Sequence, residues 1–188
     1  ADVLPFFSVA APTAARNPVT SGIVTFVVAG QSNADGVDED EHDSEPLPAG
    51  VEINDKGVDL THYPDGGTRH SGLLPYLVRE ALANGATGVR ILREATPGQN
   101  IISCIGDVPV IVSRLSAKGW TPDHWLFWQG EAETLDPAQS PSADYDDNLD
   151  RYARLVFHPY PNCRLGVPTL LMRTDDYGGV GASVDWPL

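Results

Sequence analysis

The stretch "TFVVAGQSNADGV", residues 25–37, decides how the chain is read. An apolar, β-branched run stops at Gly30-Gln31-Ser32-Asn33, with a serine placed where the strand runs out. Extended backwards, "GIVTFVVA" (22–29) is apolar without alternation, which predicts a strand covered on both faces. "GVRILREA" (88–95), "DHWLFWQG" (123–130) and "GVPTLLMRT" (166–174) read as three further strands. Between them the apolar residues recur at helical spacing. Leu73, Leu74, Leu77, Val78, Ala81 and Leu82 make one stripe, with Ser71 as a cap and Gly85 as a stop. Val108, Ile111, Val112 and Leu115 make a second that Gly119 ends. Tyr145, Leu149, Tyr152 and Val156 make a third over 143–157, with aspartates early and Arg151 and Arg154 late, as the helix dipole favours.

Strands alternating with helices predict an α/β fold: a three-layer sandwich with a mainly parallel sheet flanked by helices, flavodoxin-like. The acidic, proline-bearing loop "DGVDEDEHDSEPLPAG" interrupts the alternation, and "VEINDKGVDL" is expected to hold a small strand or hairpin over it. Residues 1–21 read as an arm, a linker or mature sequence after processing, and 22–188 as one domain. In open α/β sheets ligands bind outside the carboxyl ends of the strands. Gly30–Ser32, Ala95–Gly98 and Gln129–Glu131 each follow a predicted strand, so three polar turns are expected to share one edge.

With 188 residues, 41% of them hydrophobic, and four tryptophans, the chain can bury a core without metal or disulfide staples. No apolar run approaches the roughly 20 residues of a membrane helix, so no membrane partner is expected. The net charge is −14 with only two lysines, Lys56 and Lys118. Such a surface repels phosphate backbones and argues against nucleic acid. It suits a protein working in salt or outside a cell, so an extracellular, cell-surface or virion setting is expected ahead of the cytoplasm. Cys104 and Cys163 read as unpaired small hydrophobes rather than a disulfide framework. "DEDEHD" lacks the ligand spacing and glycine of an EF-hand loop and reads as a solvated charged segment. Zinc-type Cys/His spacing and a phosphate-binding loop are both missing, so no metal and no cofactor are expected.

A serine hydroxyl is a weak nucleophile. It needs a base to take its proton and donors for the oxyanion that forms. At a strand-to-helix turn Ser32 gains backbone N–H groups and exposure, and Gly30 lets the chain turn tightly. Gly98 offers another N–H, and Gln129 a side-chain amide. The plainer reading of Gly-Gln-Ser-Asn is a turn and nothing more, since Gly, Ser and Asn dominate turns.

"VVAGQSNADG" resembles the first signature block of the SGNH hydrolases, in the branch of sialate O-acetylesterases and carbohydrate esterase family six. "LFWQGEAET" resembles that branch's later block, and "RHSGLLPYLVREALANG" and "EATPGQNIIS" fall between them in the family's order. The similarity covers residues 22–174. It implies a serine-dependent carboxyl-ester hydrolase acting on a small acylated carbohydrate. Ser32 would be the nucleophile, with its own N–H, that of Gly98 and the side chain of Gln129 as oxyanion hole. Asn33 and Glu131 would brace the turns that also hold Gln31 and Gly130. Trp125 and Trp128 read as core.

One element departs from the family. Its triad ends in an Asp-x-x-His pair after the last strand, whereas this chain continues "DDYGGVGASVDWPL", with no histidine after Asp175, Asp176 or Asp185. Of the five histidines, His42 lies in the acidic loop, His62 and His70 precede the first long helix, His124 opens a strand at the wrong end and His158 closes a helix. His70 is the best placed of them as a base, although each reads first as a surface or structural residue. Two functions therefore stand side by side: an esterase whose Asp/His pair comes from elsewhere, or an inactive module of the same fold. The module would bind glycans or serve a structural role in a surface or virion assembly, joined to it through the N-terminal arm.

Overall fold

The apolar run after Gly22 forms β1 (Ile23–Gly30), next to the middle of a six-stranded sheet. A computed structural model describes residues 22–35, 44–64, 71–129 and 145–166; the side chains of Ser32 and Asn33 lie outside that description. After β1 come α1 (Ser32–Asp35), β2 (Val51–Asp55), β3 (Val58–Leu60) and α2 (Leu74–Ala83). They are followed by β4 (Gly88–Ala95), α3 (Ile101–Lys118), β5 (His124–Trp128), α4 (Tyr145–Phe157) and β6 (Arg164–Gly166). The strands stand in the order β3-β2-β4-β1-β5-β6, and every neighbouring pair is parallel except β2 with β3. This is an α/β fold on a mostly parallel sheet.

Side chains alternate across a strand, so the sheet feeds two separate cores. Val27, Ala29, Leu92, Trp125 and Phe127 pack with Ile101, Cys104, Ile105, Val108, Ile111 and Leu115 of α3 and with Tyr152 and Val156 of α4. Val24, Val28, Val89, Ile91 and Ala95 pack with Ala34 of α1 and with Leu74, Val78 and Ala81 of α2. Both faces of β1 are therefore covered, which is why its apolar run shows no alternation.

Several elements differ from the sequence reading. α3 begins at Ile101, not near Val108, and carries Pro109 inside it. Burial of Ile101 and Ile105, worth about 1.5–3 kcal/mol each, offsets the ~3 kcal/mol an interior proline costs. Asn100 caps this helix, its Oδ1 accepting from the N–H of Ser103 at 2.9 Å, and Gly119 ends it at φ 64°. Ser71 does not cap α2: the N-cap is Leu73, without a side-chain bond, and Ser71 is buried, its carbonyl accepting from the N–H of Leu74. "VEINDKGVDL" does form a hairpin, but it extends the main sheet because β2 pairs with β4. The last strand starts at Arg164, two residues early, and 167–174 lie outside the described residues.

Cys104 and Cys163 are buried in the α3/α4 core and are not disulfide-bonded, and burial pushes the Cys163 thiol up to about 11. In the same core the indole Nε1 of Trp125 donates to the Tyr152 hydroxyl at 2.9 Å, and both side chains are fully buried. Tyr152→Phe leaves that indole N–H without its acceptor. The variant should lose about 1–3 kcal/mol in urea unfolding, with an unchanged slope marking a stability effect alone.

Candidate active site

The three polar turns leave the sheet side by side. Gly30, the last residue of β1, is the register partner of Ala95 on one side and Trp128 on the other, each the last residue of its strand. Hydrogen bonding continues one step past the strands. The N–H of Gln31 donates to Trp128 O at 3.0 Å, and that of Thr96 to Gly30 O at 3.1 Å. The connection from β1 runs to β2 on one side of the sheet, whereas that from β4 crosses to β5 on the other. Such a reversal of winding opens a crevice at the carboxyl edge.

Gly30 turns the chain at φ 132°, a conformation side chains rarely adopt, and α1 starts two residues on at Ser32. The N–H of Asp35 closes this single turn on Gln31 O at 2.9 Å, and the side chains of Gln31, Ala34 and Asp35 are buried. In the second turn Gly98 has φ 74° and is exposed; a β-carbon there would meet nothing within 4 Å. Backbone conformation, not crowding, asks for glycine at this point. In the third turn Gln129 is 7% exposed, and its Nε2 donates to Gln99 O over a long 3.4 Å. Gln99 is held in turn by Asp107, whose Oδ2 accepts from Gln99 Nε2 at 2.9 Å, and Tyr145 donates its hydroxyl to Gln129 O at 3.2 Å. The amide of Gln129 is thus tied into the turn that carries Gly98. Gln99 was not singled out in the sequence, and Tyr145 was read there only as part of a helical stripe.

Gly30, the backbone of Ser32, Gly98 and Gln129 accordingly share one edge. His70, Gly130 and Glu131 lie outside the described residues, as do His42 and the side chain of Asn33. The three described histidines sit elsewhere. His124 opens β5, and the four-residue rise to Trp128 puts it roughly 13 Å from the carboxyl edge. Its ring stacks on Phe26 at 5.2 Å, and burial together with Arg164 holds its imidazole below the ordinary value. β3 runs antiparallel to β2, so His62, two residues beyond it, lies towards the amino ends of the strands. His158 follows α4 on the stretch that feeds the start of β6. Trp125 and Trp128 pack in the two cores, as the sequence predicts. Among the described residues no cluster of His, Cys, Asp and Glu could hold a metal ion, and no helix is long and apolar enough to cross a membrane.

Charged groups also gather here that sequence reasoning missed. Arg93 of β4 and its register partner Asp55 of β2 are both fully buried, and the guanidinium forks onto the carboxylate. Charged residues inside a predicted strand, Arg90, Arg93 and Glu94 of "GVRILREA", were the signal available.

No family model matches the chain, and no curated protein matches it. Solved structures do. A protein from Arabidopsis thaliana, AT4G34215, superposes with a TM-score of 0.56 at 19% identity, covering 78% of this chain and 73% of its own. NanS superposes with a TM-score of 0.53 at 16% identity, covering 78% of this chain and 67% of its own. At these identities the likeness is one of fold, a distant structural relationship.

Proposed function

We propose that this chain is a serine-dependent carboxyl-ester hydrolase with a three-layer SGNH-type sandwich, removing acetyl or another small acyl group from a carbohydrate. The observation that carries the reading is the shared register of Gly30, Ala95 and Trp128, from which the turns bearing Ser32, Gly98 and Gln129 start at one level. The fold-level likeness to NanS supports the α/β scaffold on which this reading rests.

In this reading a base takes the Ser32 proton while the hydroxyl oxygen attacks the ester carbonyl. The carbonyl oxygen becomes an oxyanion that accepts from the N–H groups of Ser32 and Gly98 and the side-chain amide of Gln129. Collapse of the tetrahedral intermediate expels the sugar hydroxyl, which recovers the proton from the base. Water then attacks the acyl-enzyme by the same route and releases the acid. Gln99 and Asp107 keep the Gln129 amide aimed. The base is a histidine, for which His70 is the candidate within this sequence.

A second reading keeps the fold and drops the chemistry: an inactive module that binds glycans or builds a surface assembly. What favours it is that His62, His124 and His158 all lie away from the carboxyl edge.

A fluorophosphonate probe separates the two. The esterase should carry one adduct, mapped to the peptide containing Ser32; absence of label, or label on another residue, contradicts it. If labelling succeeds, Gln129→Ala should lower kcat/KM for p-nitrophenyl acetate by about 10²–10³, the usual cost of one oxyanion donor. An unchanged kcat/KM would remove Gln129 from the mechanism.

A further inference from the structure

We propose that Arg93 is a positioning residue for Ser32, holding α1 by its C-terminal end through the buried Arg93–Asp55 pair; the part concerning Ser32 rests on the nucleophile role proposed above. α1 is a four-residue helix. A single turn cannot hold itself, because it fixes several dihedrals for one hydrogen bond, and its own bond is Asp35 N–H to Gln31 O at 2.9 Å.

The rest of the hold comes from outside. Arg93 Nη1 donates to the carbonyl of Asp35, the last residue of α1, at 2.8 Å. The other arms of the guanidinium are committed to Asp55, with Nε to Oδ1 at 3.0 Å and Nη2 to Oδ2 at 2.9 Å. The fork therefore fixes the direction of the third bond. The Asp35 carboxylate, 5% exposed, is clamped by Lys56 Nζ at 2.8 Å, and the N–H of Lys56 donates to Arg93 O at 2.9 Å. Asp35 is thus gripped by both carbonyl and carboxylate, from residues on β4 and at the end of β2.

Stability alone does not explain the pair. Replacing a buried ion pair with apolar side chains of similar volume is often neutral or favourable, because two charges need not then be desolvated. An apolar pair has no way to donate to Asp35 O. The function left for the guanidinium is to set the end of α1, three residues from Ser32. Small misplacements at a reacting atom cost large factors in rate.

The test compares wild type with the double variant Arg93→Met/Asp55→Leu and with Lys56→Met, reading thermal unfolding, amide exchange at Asp35 and the rate of fluorophosphonate labelling at Ser32. The double variant should unfold within a few degrees of wild type. Its Asp35 amide should exchange about tenfold faster or more, and its labelling rate should fall roughly tenfold or more. Lys56→Met touches only the carboxylate clamp and should change both readings in the same sense by a smaller factor. Should the double variant fail to fold, Arg93→Lys, which keeps the charge but lacks the planar fork that reaches Asp55 and the Asp35 carbonyl together, takes its place for the same two readings. Unchanged Asp35 exchange in a folded variant overturns the anchor whatever the labelling shows. Faster exchange with an unlabelled wild type leaves the anchor standing and removes the nucleophile. Faster exchange with full labelling rate overturns the positioning role.

Discussion

Gly30→Ala is expected to be the most damaging single substitution for stability. The backbone at Gly30 has φ 132°, and an added β-carbon would lie 1.9 Å from the carbonyl oxygen of Trp128. That oxygen is itself committed, accepting the N–H of Gln31 at 3.0 Å, so moving it breaks the step that joins the first and third turns. A strained backbone costs about 1–3 kcal/mol, and overpacking against a fixed neighbour adds a further ~1–3 kcal/mol. At about 2–4 °C per kcal/mol for a chain of this size, the thermal midpoint should drop by roughly 10 °C or more. Gly98→Ala is the control. Its φ of 74° brings the same kind of strain, but its β-carbon meets nothing within 4 Å. That variant should lose only about 1–2 kcal/mol. Circular dichroism melts of the two proteins check the contrast; equal midpoints would contradict it.

Ser32→Ala carries the largest expected effect on activity. Alanine is a good helix former and retains the backbone N–H at the start of α1, so the melt should stay close to wild type. Hydrolysis of p-nitrophenyl acetate should fall at least about 10³-fold, since removing a triad serine leaves only binding and oxyanion stabilisation. A variant that keeps its rate would show that the hydroxyl takes no part, however well the three turns are arranged.

How legible these features were depended on the range of the interactions that make them. β1 could be read because burial on both faces writes a continuous apolar run into the chain, β4 from the more alternating "GVRILREA", and their carboxyl ends located the shared edge. The Gly119 stop could be read because a left-handed C-cap asks for glycine. The start of α3 was hidden: its first turns mix Ile101, Cys104 and Ile105 with Gly106 and Pro109, and local propensity there opposes what packing enforces. The hairpin was visible, but its place in the main sheet was not. β2 is held there by register with β4 and by Asp55 meeting Arg93, 38 residues away, a pairing that no local pattern encodes. The tie from Gln129 to Gln99 spans 30 residues and was equally invisible. Ser71 looked like a cap because serine commonly is one, yet its side chain is buried before the helix begins.

The most direct measurement is acid-quenched mass spectrometry of the full chain during turnover of p-nitrophenyl acetate. The expected result is a single acetyl group on the peptide containing Ser32, absent from Ser32→Ala and rising when deacylation is slowed by cold. Turnover with Ser32 unmodified and an acetyl group on another residue would contradict the nucleophile. No turnover and no acetyl-enzyme would leave the α/β fold without ester hydrolysis.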